Sequence, residues 1–219
     1  KGLVPAEAVS LCTIADYVGM ALTERSAPLL HISQAASLGL YDCKVNEFMW
    51  DIVRECGISP DFLPDVTKEA LPLGTFRGIP VCVSIGDNQA SFLGSVEADK
   101  DCALANIGTG SQISVLSHTC FQGKGIEARP FTANSYLLVG AALCGGSAYA
   151  ALERFFREYA VAAGGADKPQ YDVMQKFLAG QANPAESWTV RTSFLGTREN
   201  PDGTGSVSGI RQDNYTPAA

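Results

Sequence analysis

The stretch from residue 81 to residue 116 constrains the fold of this chain more than any other part of the sequence. An apolar run at residues 79–85 predicts a buried strand, because turn residues bound it on both sides. Residues 88–97 then place apolar side chains at roughly helical spacing. Asp87 therefore stands where a strand ends and a helix begins. Taken alone, a carboxylate in this position is typical of a helix cap.

A predicted hairpin follows directly. Residues 102–107 and 112–116 predict two strands, separated by Gly108, Thr109 and Gly110. Glycine permits positive φ and adds no side-chain bulk, so the backbone N–H groups of such a turn can converge on an anion. Most turns of this composition are only turns. The order of the two motifs, strand–Asp–helix and then strand–Gly-Thr-Gly–strand, favours a functional interpretation.

The rest of the chain predicts a mixed architecture. Further helices are expected at residues 5–22, 46–56, 149–162 and 171–178, further strands at 135–143 and 188–195, and a polar loop at 117–132. The helix at 149–162 is expected to bury its aromatic face, formed by Leu152, Phe155, Phe156 and Tyr159. Periodicity alone indicates an α/β or α+β fold. A charged run at residues 97–101 predicts a domain boundary, which divides the chain into residues 1–98 and 99–219.

Composition excludes several classes of protein. The chain of 219 residues is 46% hydrophobic and 18% charged, which is ample for a core and argues against disorder. Its net charge of −7 argues against a nucleic-acid partner or an anionic membrane surface, since both favour a basic stripe. No apolar run reaches the length of a membrane span. Neither a G-x-S-x-G nucleophile turn nor a G-x-G-x-x-G dinucleotide turn is present, so a hydrolase or a dehydrogenase is not favoured.

The cysteines and histidines give no sign of a metal site or a disulfide framework. The seven cysteines include no C-x-x-C pair, which favours a reducing, cytoplasmic environment. His118 and Cys120 form only one potential ligand pair, so we interpret them as part of a loop. His31 lies among apolar residues, and this setting favours a hydrogen-bonded core histidine over a general base.

Two motifs together resemble the FGGY carbohydrate kinases. Residues 86–90 read Gly-Asp-Asn-Gln-Ala, and residues 106–110 read Asn-Ile-Gly-Thr-Gly, similar to the paired G-D-x-Q-A-A and N-x-G-T-G motifs of that family. Residues 143–148 are similar to the small-residue turn after the third strand of its second domain. Residues 192–210 resemble a stretch of the sedoheptulokinase branch. The resemblance covers most of the chain.

This resemblance implies a ribonuclease-H-like, actin-like ATPase fold with parts of two domains. Residues 1–98 would be the C-terminal part of the sugar-binding domain, and residues 99–219 the N-terminal part of the nucleotide-binding domain. It implies that Asp87 is the general base and that Asp87 and Asn88 contact the sugar. By the same resemblance Gly108, Thr109, Gly110 and Gly146 contact the nucleotide, and ATP and Mg²⁺ are the expected cofactors.

Parts of the family pattern are absent from this sequence. No D-x-G-T run of a first phosphate loop precedes residue 28, and the adenine region would lie beyond residue 219. We therefore expect an internal fragment that is inactive alone, with exposed faces that self-association into a homodimer could cover. The substrate class is a ketose or polyol, and residues 195–210 favour a seven-carbon ketose, sedoheptulose. The alternatives are a degenerate relative that binds without catalysis and a structural α/β domain with coincidental turns.

Overall fold

The computed structural model describes Pro5 and residues 7–97, 101–179 and 188–217. Its helices are α1 (Ile14–Leu22), α2 (Ile32–Ser37), α3 (Trp50–Glu55), α4 (Asp87–Ser95), α5 (Gly146–Ala162) and α6 (Tyr171–Ala179). Its strands are β1 (Leu29–His31), β2 (Tyr41–Asp42), β3 (Glu47–Phe48), β4 (Asp65–Thr67), β5 (Pro72–Phe76), β6 (Ile79–Cys82), β7 (Ala103–Ile107), β8 (Ser111–Ser117), β9 (Ile126–Thr132), β10 (Ser135–Ala142), β11 (Thr189–Arg191) and β12 (Ser206–Ser208). None of the helices in these ranges is both long and apolar enough to cross a bilayer.

The chain divides into two compact units. The first comprises Lys1–Leu104 and Ser114–Gly140, and the second comprises Ala105–Ile113 and Ala141–Ala219. Strands β7, β8 and β10 thus contribute residues to both units. The domain boundary predicted between residues 98 and 99 lies outside the described residues and stays a prediction.

The core of the first unit forms around β1 and α2. Leu30, Ile32 and Val53 are fully buried there, and β1 pairs in parallel with β4. Short apolar segments bury well in this arrangement because each packs against neighbours distant in sequence. The sequence pattern did not predict α2, which is only six residues long and begins directly after β1.

A four-stranded sheet in the order β7-β8-β10-β9 carries the Gly-Thr-Gly turn between β7 and β8, whereas β6, the strand before Asp87, pairs with β5 in a separate sheet. The prediction that residues 117–132 form a loop is wrong for β9, which pairs antiparallel with β10. The charged residues Glu127 and Arg129 make this segment look like a polar loop in the sequence. Ala128, which lies between them, and Phe131, which follows them, are nevertheless buried. A second apolar cluster joins Phe131 to Phe92 of α4, so β9 helps to hold α4 in place.

Two helix starts differ from the sequence expectation. Helix α1 begins at Ile14 rather than at residue 5, because the Thr13 hydroxyl accepts a hydrogen bond from the N–H of Asp16 at 3.3 Å and caps it there. Helix α3 begins at Trp50 rather than at residue 46. Asn46 has a φ of 58°, so it belongs to the turn between β2 and β3 instead of capping a helix.

The aromatic face of α5 is not buried, contrary to the sequence expectation. Phe155 is 64% exposed and Tyr159 is 72% exposed, whereas Glu153 is only 5% exposed. The Glu153 carboxylate accepts a hydrogen bond from the N–H of Gln170 at 2.9 Å and pairs with Arg157 at 3.6 Å. Helical spacing identifies a face that could be buried, but a neighbouring element must cover it. Within the described residues, that face has no such cover.

Candidate functional site

Asp87 is the first residue of α4 in the first unit. The preceding strand is shorter and less buried than predicted: β6 ends at Cys82, and Ile79 is 67% exposed. Residues 83–86 therefore connect strand to helix without regular structure. The Asp87 side chain is exposed, and its Oδ1 accepts a hydrogen bond from the N–H of Asn88 at 2.7 Å.

The two residues after Asp87 are polar and buried. The Gln89 side chain donates a hydrogen bond from Nε2 to the Pro130 carbonyl at 2.8 Å. Asn88 is 5% exposed, yet neither its Oδ1 nor its Nδ2 has a hydrogen-bond partner among the described residues. A buried amide without partners loses its hydration at a cost of roughly 1–3 kcal/mol. A ligand with hydroxyl groups would satisfy both atoms, since each hydroxyl both donates and accepts.

An open cleft lies over these residues within the first unit. Its volume is about 670 Å³, and Asp87, Asn88, Glu127 and Arg129 are among the residues that line it. This volume is in the range of small-molecule sites. Arg129 and Glu127 pair at 2.8 Å, so the cleft presents an ion pair of β9 and the exposed carboxylate of Asp87. Sequence reasoning missed the β9 residues, because it interpreted that segment as a loop.

A buried polar cluster lies beside the 83–86 connection. The Ser33 hydroxyl accepts a hydrogen bond from the N–H of Gly86 at 2.9 Å and lies 2.8 Å from His31 Nδ1. The Ser84 hydroxyl donates to the carboxylate of Asp16, which is 2% exposed. His31 is 3% exposed, and burial lowers its pKa, although a hydrogen bond to the Lys68 backbone and the charge of Asp16 oppose this. The interpretation of His31 as a hydrogen-bonded core residue is confirmed.

The lowered pKa of His31 predicts a pH-dependent stability. Near and below the unfolded-state pKa of about 6.5, the unfolded chain binds the proton that the folded chain excludes. The His31 contribution is therefore present above that pH and is lost as the pH falls, by at most about 1.4 kcal/mol per pH unit. Urea unfolding between about pH 8 and about pH 5 should show this slope in the wild type and a smaller slope in His31→Gln. His118→Gln, which changes the other histidine at an exposed site, should keep the wild-type slope; equal slopes in His31→Gln and wild type would contradict the prediction.

The second unit contains the Gly-Thr-Gly turn. Residues 108–110 connect β7 to β8, so the predicted turn between strands is confirmed. Its carbonyl groups accept hydrogen bonds from the start of α5: Gly146 N–H donates to Gly108 O at 2.7 Å and Gly145 N–H donates to Thr109 O at 2.8 Å. The N–H of Gly108 donates to Gly110 O at 2.9 Å. This bond occupies the N–H of Gly108, so the expectation that the N–H groups of the turn converge on an anion does not hold for Gly108.

The glycines at and near this turn differ in whether close packing requires them. A Cβ on Gly110 would lie 2.9 Å from the Ala142 carbonyl oxygen, and one on Gly146 would lie 2.8 Å from the Gly108 carbonyl oxygen. Gly145 would likewise collide with the backbone of Gly110. These glycines allow the turn to approach the end of β10 and the start of α5 closely. A Cβ on Gly108, in contrast, would meet nothing within 4 Å. Packing therefore does not explain glycine at position 108.

A shallow groove of about 310 Å³ lies along this turn. Gly108, Gly110, Gln112 and Arg198 are among its lining residues, all within the second unit. The guanidinium group of Arg198 is suited to phosphate, since it can offer two parallel donors. Arg198 falls in the 192–210 stretch, where β12 is the only strand, and the strand expected at 188–195 shortens to Thr189–Arg191, which is β11. Sequence reasoning connected that stretch to the family but did not assign Arg198 to the groove.

The described residues contain no group of three or more His, Cys, Asp or Glu side chains that could together hold a metal ion. Mg²⁺ in kinases is commonly held by one or two carboxylates together with substrate phosphates. The exposed carboxylate of Asp87 is compatible with that mode of binding.

Two curated proteins are similar to this chain in sequence. The sedoheptulokinases of Mus musculus and Homo sapiens are each 26% identical to it over 220 residues, which cover 93% of the chain and 46% of each relative. The chain thus spans about half the length of the curated relatives it matches. No family model matches the chain.

Solved structures of carbohydrate kinases share the fold. The xylulose kinase from Rhodospirillum rubrum superposes with a TM-score of 0.76 at 21% identity, covering 96% of this chain and 43% of that protein. The Plasmodium falciparum glycerol kinase with ADP superposes with a TM-score of 0.71 at 18% identity, covering 95% of this chain and 43% of that protein. The gluconate kinase from Lactobacillus acidophilus superposes with a TM-score of 0.70 at 19% identity, covering 94% of this chain and 43% of that protein. The predicted α/β class and actin-like ATPase fold are confirmed.

Proposed function

We propose, on the premise that this chain is related to the FGGY carbohydrate kinases, that the whole protein transfers a phosphoryl group from ATP to a hydroxyl of a sugar or polyol. One observation carries the proposal. An exposed carboxylate at the start of α4 adjoins a buried amide with no partner among the described residues, and both line one cleft. This arrangement suits a polyhydroxylated substrate, which offers one hydroxyl to a base and others to the amide.

Asp87 is the general base of this proposal. Its carboxylate accepts the proton of the attacking hydroxyl as that oxygen bonds to phosphorus and the ADP oxygen leaves. Asn88 orients the same sugar by donating from Nδ2 and accepting at Oδ1. Both residues lie in the first unit and line the open cleft, whose volume is about 670 Å³. A monosaccharide can therefore occupy the space above them.

The second unit supplies the proposed nucleotide contacts. Gly108 and Gly110 line the groove, and Thr109 lies between them in the turn. Gly146 supports the turn by its 2.7 Å hydrogen bond to Gly108. Arg198 adds a positive charge for the ATP phosphates. Mg²⁺ bound together with those phosphates would neutralise charge that develops during transfer. The division at residue 98, the cytoplasmic location and the homodimer stay predictions.

The proposed substrate is a ketose, with sedoheptulose favoured over shorter sugars. The support is the sequence match to two sedoheptulokinases, which covers 93% of the chain. The second candidate is a degenerate relative that binds sugar or nucleotide without transfer. It is less favoured because the carboxylate of Asp87 is retained at the cleft.

ADP release by the full-length protein tests this function. Sedoheptulose, xylulose, glycerol and gluconate are offered separately with ATP and Mg²⁺, and sedoheptulose is expected to give the highest kcat/KM. This 219-residue chain alone is expected to release no ADP, since phosphoryl transfer needs groups from both phosphate loops. Preference for another sugar would contradict the substrate assignment. Sugar binding by calorimetry without any ADP release would favour the degenerate relative.

A further inference from the structure

We propose that Ser33 and His31 are positioning residues that hold the start of α4, and with it Asp87, in place for proton transfer. This inference rests on the proposed role of Asp87 as general base. Neither side chain is assigned contact with the reacting atoms. Both act through the backbone of Gly86, the residue immediately before Asp87.

A chain of hydrogen bonds runs from β1 to the start of α4. The N–H of Gly86 donates to Ser33 Oγ at 2.9 Å, and Ser33 Oγ lies 2.8 Å from His31 Nδ1. The N–H of Ser33 also donates to His31 Nδ1 at 3.3 Å. His31 and Ser33 are buried, and low local polarity strengthens the hydrogen bonds between them. Ser33 is also among the residues that line the cleft of the first unit.

The contacts determine which nitrogen of His31 carries the proton. Nδ1 accepts from the N–H of Ser33, so this nitrogen is unprotonated and the Ser33 hydroxyl also donates to it. In the neutral ring the other nitrogen, Nε2, then carries the hydrogen. A hydrogen bond between the His31 side chain and the backbone of Lys68 is compatible with this form. Since its hydrogen goes to His31, Ser33 Oγ keeps its lone pairs for Gly86. The neutral Nε2–H form of His31 thus orients the Ser33 hydroxyl.

The two residues before Gly86 are held in the same way. The Gln34 side chain donates from Nε2 to the Ile85 carbonyl at 3.2 Å. The Ser84 hydroxyl donates to Asp16, whose other carboxylate oxygen accepts from Thr13 Oγ1 at 2.6 Å. Residues 84–86 have no regular secondary structure. Partly buried backbone without a ladder needs such side-chain partners. Here Gln34 and Ser33 of α2 supply them for residues 85 and 86, and Asp16 of α1 holds the Ser84 side chain.

Holding this connection matters for catalysis because general-base transfer requires close alignment. A displacement of about 1 Å at a reacting group can cost on the order of 10²-fold in rate. The alternative is that the cluster only satisfies buried polar atoms and affects stability alone. A positioning role predicts that variants of the cluster lose more kcat than their loss of stability explains. A purely structural role predicts a loss of stability without a separate loss of kcat.

Kinetics of the full-length protein separate them. Ser33→Ala is expected to lower kcat roughly 10- to 100-fold while the KM for ATP stays unchanged. His31→Asn keeps an acceptor near the Nδ1 position and should retain more activity than His31→Leu. Ser135→Ala is the matched control, because Ser135 is a buried serine of the same unit that bonds another hydroxyl, Thr132 Oγ1, at 2.5 Å. It should lower Tm comparably and leave kcat unchanged.

NMR gives a readout independent of turnover. The ¹⁵N shifts of His31 should report the neutral Nε2–H form, and the Gly86 amide should exchange slowly in the wild type and rapidly in Ser33→Ala. An unchanged kcat in Ser33→Ala with rapid Gly86 exchange would overturn the positioning role, as would an equal kcat loss in Ser135→Ala. If Ser33→Ala does not fold, the comparison of His31→Asn with His31→Leu decides, and equal activities overturn the proposal. Full activity in Asp87→Asn would instead refute the proposed function, while the His31 form and Gly86 protection would be unaffected.

Discussion

Replacing Asp87 with asparagine is expected to lower kcat by on the order of 10²–10⁴ while the protein stays folded. Asparagine keeps the shape of the side chain but cannot accept the proton of the attacking hydroxyl at neutral pH. Its amide oxygen can still accept the 2.7 Å hydrogen bond from the N–H of Asn88. The loss of a charge at the helix start should cost only about 1 kcal/mol or less. The measurement is kcat for sugar-dependent ADP release together with Tm.

Asp51→Asn provides the matched control for this variant. Asp51 is also an exposed carboxylate in the first turn of a helix, α3, where it pairs with Arg54 at 3.3 Å. It does not line the cleft of the first unit. The control should lose a similar small amount of stability and no activity. If Asp87→Asn were as active as Asp51→Asn, Asp87 would be only a residue that stabilises a helix start.

Placing alanine at Gly108 is expected to raise the KM for ATP by about tenfold to a hundredfold, with little change in Tm or in the KM for sugar. A Cβ at this position meets nothing within 4 Å, so the fold itself tolerates it. The methyl group would instead occupy the space in which a phosphate approaches the turn. Overpacking of this kind costs roughly 1–3 kcal/mol, and each 1.4 kcal/mol corresponds to about a factor of ten in affinity. Initial-rate kinetics with ATP varied at saturating sugar give the value.

Gly110→Ala is the contrasting variant for this experiment. Its Cβ would lie 2.9 Å from the Ala142 carbonyl oxygen, so the turn must shift and Tm should fall. A lower Tm with weaker use of both substrates is the expected result there. An unchanged KM for ATP in a well-folded Gly108→Ala would mean that residues 108–110 are a hairpin turn without contact to the nucleotide.

Local pattern was enough to predict the elements that carry the proposed site. The helix start at Asp87 and the turn at Gly108 were both predicted correctly, because residue spacing and glycine content act within a few residues of the backbone. The strand before Asp87 was predicted to reach residue 85 but ends at Cys82. The paired motifs also identified the carbohydrate-kinase fold, which the structural comparison confirms. Errors at helix starts had local causes too, such as the cap at Thr13, which competes with an earlier start.

Only the tertiary structure decided which of these local elements are covered and what they contact. The same helical spacing that correctly predicts α5 says nothing about whether Tyr159 is buried, since burial requires a neighbour from elsewhere in the chain. Strand β9 becomes recognisable only when β10 supplies the partner for its backbone. The bond from Gly86 to Ser33 joins residues 53 positions apart. Such pairings depend on how distant segments pack, and the spacing of residues along the chain does not encode them locally.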